Sequence, residues 1–104
     1  MLRNTFIMML KPGCKEEYKN RHDALWPQLE KELKDAGISN YSICLHEETG
    51  TLFAYQELSE SHTAEDLPQK DIVKKWWSYM SDIMETNSDN SPKVTELEEL
   101  FYLG

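Results

Sequence analysis

His22 is the residue in this 104-residue chain best suited to move a proton near neutral pH, because an imidazole titrates at about 6.5 unless its surroundings shift it. It follows Tyr18 by four residues and precedes Leu25 by three, so on a helix it shares a face with Tyr18, Leu25, Leu29 and Leu33 rather than with the Lys and Glu of the other sides. Two readings of such a histidine stand side by side: a core histidine satisfied by a hydrogen bond, or a general acid/base facing an interior site. Spacing alone does not separate them. Trp76 and Trp77 are the second feature. Adjacent helical residues point about 100° apart, so the two indoles cannot share one packing direction. One is then core, and the other can offer its face to the C–H groups of a sugar and its N–H to a hydroxyl. A tryptophan pair at helical spacing also serves plain packing or an interface.

Other chemistries lack their signatures. No His, Cys and carboxylate residues have metal-site spacing such as His-Glu-x-x-His, so no metal is expected. Only four glycines are present, in no phosphate-binding Gly-x-Gly-x-x-Gly or Gly-Lys-Ser loop, so no nucleotide cofactor is expected either. His46 and His62 sit in turn-like sequence, and Glu16-Glu17 and Glu98-Glu99 read as solvated pairs. Cys14 and Cys44 have no Cys-x-x-Cys spacing and read as free thiols. Eleven Lys and Arg against nineteen Asp and Glu give a net charge of −8, which repels phosphate backbones and anionic membrane surfaces. The N-terminal apolar run covers only Phe6 to Leu10, so neither a signal peptide nor a membrane span is expected, and the protein is expected in the cytoplasm.

The elements that must position His22 and the tryptophans follow from changes of period. Thr5 to Leu10 is a nearly continuous apolar run closed by Lys11-Pro12-Gly13, which predicts a buried strand and a turn. From Cys14 to Gly37 the period is helical, with Pro27 forcing a kink or restart near Trp26. Tyr41 to His46 alternates, Glu47-Glu48-Thr49-Gly50 supplies a turn, and Thr51 to Leu58 completes a hairpin. Ser59 to Pro68 is polar and reads as a loop or loose helical turn. Ile72, Val73, Trp76, Trp77, Met80, Ile83 and Met84 then form a wide apolar stripe on a helix of about four turns. After the turn-forming segment from Asn87 to Pro92, Leu97 to Leu103 is expected to be the final strand.

The order β-α-β-β-α-β predicts one α+β domain over residues 1–104, with a ferredoxin-like four-stranded antiparallel sheet and both helices on one face. A chain this short buries only about two thirds of its unfolded surface, which predicts a homodimer. Two sheets paired face to face would make a dimeric α+β barrel. A cavity between sheet and helices would be lined by Tyr18, His22, Trp76 and Trp77.

Three stretches carry a resemblance: Glu17-Tyr18-Lys19-Asn20-Arg21-His22-Asp23-Ala24-Leu25-Trp26-Pro27, Gly37-Ile38-Ser39-Asn40-Tyr41-Ser42-Ile43, and Lys75-Trp76-Trp77-Ser78-Tyr79-Met80 with the Asn87 to Pro92 segment. Together they resemble the L-rhamnose mutarotase family, nearly end to end and most thinly between Ser59 and Gln69. The resemblance implies a dimeric α+β barrel without metal or cofactor, an isomerase that interconverts the anomers of L-rhamnose, and a proton-donating histidine that here is His22. It implies further that Tyr18, Tyr41, Trp76 and Trp77 contact the sugar. One departure is visible: Ser88 stands where the family usually has a proline, which implies a looser loop and leaves the chemistry untouched. Two rival readings are a cofactor-free monooxygenase on the same barrel, since that fold hosts many functions, and a non-catalytic sugar-binding module.

Overall fold

A computed structural model describes residues 1–104. The first strand, β1, runs over Leu2–Met9. The helical stretch after it is broken in two, α1 over Lys15–Asp23 and α2 over Pro27–Asp35. Pro27 is the reason: with no N–H and a fixed φ it cannot continue α1, but it suits the first turn of a new helix whose extended N-cap is Trp26. Strands β2 (Ile38–His46) and β3 (Thr51–Leu58) form the hairpin. A short 3-10 helix covers Ala64–Gln69 and leads into α3, Asp71–Met80. The last strand, β4, is only Thr95–Glu96.

The sheet order is β2-β3-β1-β4 and every pairing is antiparallel, as the β-α-β-β-α-β order predicts. One sheet face presents Phe6, Met8, Leu10, Leu52 and Ala54, packed with Tyr18 of α1 and Met80 of α3. A second cluster joins Leu29 of α2, Ile38, Leu58, Leu67 and Val73. Trp76 packs against both.

Two expectations are corrected. The helix of the Trp76-Trp77 stripe, α3, ends at Met80 rather than near Met84; Ile83 and Met84 stay buried, at 5% and 6% exposed, on the turn that follows. Burial and helical period coincide there without a helix, since a tight turn at Ser81 also keeps Ile83 against the core. The final strand is not Leu97 to Leu103. Pairing with β1 covers Thr95 and Glu96, the Leu97 N–H still reaches the Thr5 carbonyl at 3.0 Å, and beyond it the chain leaves the ladder. Leu100, Phe101 and Leu103 are 86%, 80% and 81% exposed. A strand exists only by pairing, and within one chain this apolar tail has no partner strand.

A bulge in β2 decides where Tyr41 points. Ser39 faces Glu57 and Ser42 faces Tyr55, so Asn40 and Tyr41 together oppose Gln56. Asn40 adopts φ of 47° and its amide donates to Glu57 Oε1 at 2.7 Å. The extra residue switches the alternation, so Tyr41, Ile43 and Leu45 share a side with Ile38.

Candidate active site

Different elements deliver the candidate residues to one place. α1 supplies Tyr18 and His22, whose rings lie 4.3 Å apart. α3 supplies Trp76, which meets His22 edge-on at 5.4 Å and 88°. β2 supplies Tyr41 across the bulge, 6.5 Å from the ring of Phe6. Trp77 stands beside Trp76 with its ring against the cluster around Leu29 and Val73. All five line one cavity of about 770 Å³ between the helices and the sheet, with Met8, Ile43 and Leu45 on its sheet side. No group of three His, Cys, Asp or Glu stands close enough to hold a metal ion.

His22 Nδ1 lies 2.9 Å from the backbone oxygen of Tyr18. A carbonyl can only accept, so in the neutral ring Nδ1 donates and Nε2 keeps its lone pair. Burial draws the His22 pKa below the ordinary 6.5, against opposing pulls from that hydrogen bond and from Asp23. At neutral pH the ring is therefore uncharged and basic at Nε2. Burial pushes Tyr41 up to about 12 and Tyr18 up as well, so both phenols keep their protons. Tyr41 remains 39% exposed as a whole residue, but its ionisation responds to the surroundings of the hydroxyl rather than of the ring. The site thus pairs one base with two neutral hydrogen-bond donors beside indole faces.

The model of the family described as L-rhamnose mutarotase matches residues 3–103. The chain is 53% identical to the L-rhamnose mutarotase of Formosa agariphila over 103 residues, 99% of each protein. The chain belongs to the L-rhamnose mutarotase family. It is also 52% identical to the Sinorhizobium fredii mutarotase and 50% identical to that of Listeria monocytogenes, over 100% of each chain. A crystal structure of the Formosa agariphila L-rhamnose mutarotase superposes with a TM-score of 0.94 at 52% identity, covering 100% of both chains.

Sequence reasoning did not assign three residues in or behind the cavity wall of this mutarotase-family chain. Trp26, read only as the place of a kink, packs edge-on against Trp76 at 5.1 Å and stacks on Tyr79 at 5.4 Å and 27°. Its position directly before Pro27, at the joint between two helices, was the available signal. Thr86, just before the turn segment, and Asn90 within it reach the cavity, and Asn90 holds φ of 70°. No period predicts that. His46 and His62 do not line the cavity: His46 bonds Thr49 Oγ1 at 2.8 Å, and His62 accepts the Ala64 N–H at 3.2 Å.

Proposed function

We propose that this chain interconverts the α and β anomers of L-rhamnose by acid/base-assisted ring opening and closure, with His22 as the proton-transfer group. The observation that carries the reading is one apolar cavity that gathers a neutral, partly buried histidine, two protonated tyrosines and two indoles in a member of this family. Nε2 of His22 takes the proton from the hydroxyl on C1. The C1–O1 bond becomes a carbonyl, and the C1–O5 pair leaves to the ring oxygen. That oxygen receives a proton from the imidazolium, giving the open aldehyde and a C5 hydroxyl. Rotation about C1–C2 and the reverse steps on the other carbonyl face form the other anomer. In this scheme His22 is the donor to the ring oxygen that the resemblance implies, and its Nδ1 bond to the Tyr18 carbonyl supports a basic Nε2 that takes a proton before it gives one. Tyr18 and Tyr41 donate hydrogen bonds to the oxygens on which charge develops.

Trp76 and Trp77, which line the cavity from two directions, contact the pyranose, and apolar wall residues receive the 6-deoxy methyl. Such a contact favours a methyl over a hydroxymethyl by only about 1–3 kcal/mol, so selectivity for rhamnose is modest. The activity needs no cofactor in this scheme. We read residues 1–104 as one domain that works as a homodimer. The sheet face away from the helices leaves Phe53 45% exposed, and the apolar tail is uncovered, which suits two sheets closing into a dimeric α+β barrel. The free thiols Cys14 and Cys44 suit a reducing cytoplasm, and no helix is long and apolar enough to cross a membrane.

Exchange NMR on the anomeric protons of L-rhamnose tests the reading. The wild-type chain should speed exchange over buffer and His22→Ala should not. Saturable binding without faster exchange would mark a sugar-binding module, and oxygen uptake with an aromatic substrate a monooxygenase.

A further inference from the structure

The helix that carries His22 is weakly anchored by burial. Of the nine residues of α1 only Tyr18 is buried, and most of the rest are Lys, Glu, Asn and Asp. Arg21 supplies what burial does not. Its side chain is only 10% exposed. Nε donates to Glu17 at 2.7 Å, Nη1 to Asp82 Oδ1 at 2.9 Å and to the Tyr79 carbonyl at 2.7 Å, and Nη2 to Asp82 Oδ2 at 3.2 Å. The guanidinium also lies 4.4 Å from the centre of the Tyr79 ring. No residue of α1 other than Arg21 makes a hydrogen bond or ion pair to α3 or to the turn that ends it.

These contacts close a circuit. Arg21 covers Tyr79, Tyr79 stacks on Trp26, Trp26 meets Trp76 at 85°, and Trp76 meets His22, the residue next to Arg21. We propose that Arg21, braced by Asp82, is a positioning residue that sets where α1 presents His22 against the Trp76 wall. A lysine cannot replace it, because only a planar guanidinium binds a carboxylate with two parallel bonds while stacking on a ring. The inference rests on His22 being the acid/base group.

The test compares Asp82→Asn and Arg21→Lys with the wild type, following the His22 ring C–H signals by NMR across pH together with kcat and KM for anomer exchange. Looser docking of α1 admits water to His22, whose depression is first a burial effect, so its midpoint should rise towards about 6.5. Charge alone predicts otherwise. Loss of the Asp82 carboxylate would by itself lower the midpoint, and Arg21→Lys leaves the charge unchanged. The charged groups sharing the cavity with His22, namely Lys15, Lys19, Asp23, Glu30 and Lys34, are exposed and untouched by either substitution, while Tyr18 and Tyr41 keep their protons and Trp76 brings no charge. We expect the midpoint to rise in both variants and kcat to fall about 10-fold, with KM changed by less than about 3-fold. A midpoint that stays or falls, or a loss confined to the unfolding temperature with kcat retained, overturns the proposal. Failure of the His22 reading would show separately, as undiminished exchange in His22→Ala.

Discussion

At the scale of single residues, the central fact is that an α1 carbonyl orients His22 while burial keeps it neutral. His22→Ala should lower the enzyme-dependent exchange rate by about 10²–10⁴-fold, the usual worth of one positioned acid/base group. The pH dependence follows from the sign of the shift. A histidine held below its ordinary value loses its base form only when the pH falls through that lowered value. The acid limb of kcat, after subtraction of buffer-catalysed exchange, should therefore have its midpoint below about 6.5 and coincide with the His22 NMR titration. A limb above that value would mean that another group controls the step. No alkaline limb from Tyr41 is expected until about pH 12.

Individual elements meet the site through two irregular positions. Asn40 holds the left-handed conformation that makes the β2 bulge, and the bulge turns Tyr41 inwards. Asn40→Gly should retain the bulge. Asn40→Val puts a β-branched side chain where φ is positive, and we expect a loss of about 2 kcal/mol in denaturant unfolding together with a raised KM for L-rhamnose. At the joint between α2 and β2, Gly37 has φ of 93°, and a Cβ there would collide with Ser59 Oγ and come within 3.1 Å of the His62 backbone. Gly37→Ala should cost about 2–3 kcal/mol and lower the midpoint of thermal unfolding by about 10 °C or more. A neutral result would mean that the corner relaxes more freely than its close packing implies.

For the whole molecule, the unpaired tail and the outer sheet face are the features that one chain leaves unfinished. Arg3 holds the tail by a two-pronged pair with Glu99 at 2.8 and 3.1 Å and lies 3.5 Å from the centre of the Tyr102 ring, while Leu100, Phe101 and Leu103 point to solvent. If a second copy covers them, Phe53→Asp or Phe101→Asp should shift the species seen by sedimentation from dimer towards monomer. An unchanged sedimentation profile would place the interface elsewhere.

Much of this was written in the sequence, and the physical division is clear. Local period and turn chemistry determined the element order, the hairpin, the break at Pro27 and the placement of Tyr18 and His22 on one helix face, because these depend on neighbours within a few residues. The apolar stripe through Trp76 and Trp77 named the right residues although the helix ends at Met80. The short motifs carried the family. Only the tertiary structure decided the rest: the burial that lowers the His22 pKa, the extent of β4, the inward turn of Asn90, the stacking of Trp26, and the grip of Arg21 on Asp82 across 61 positions of chain. Each of these depends on which groups the fold brings together from distant segments, and no local pattern encodes that meeting.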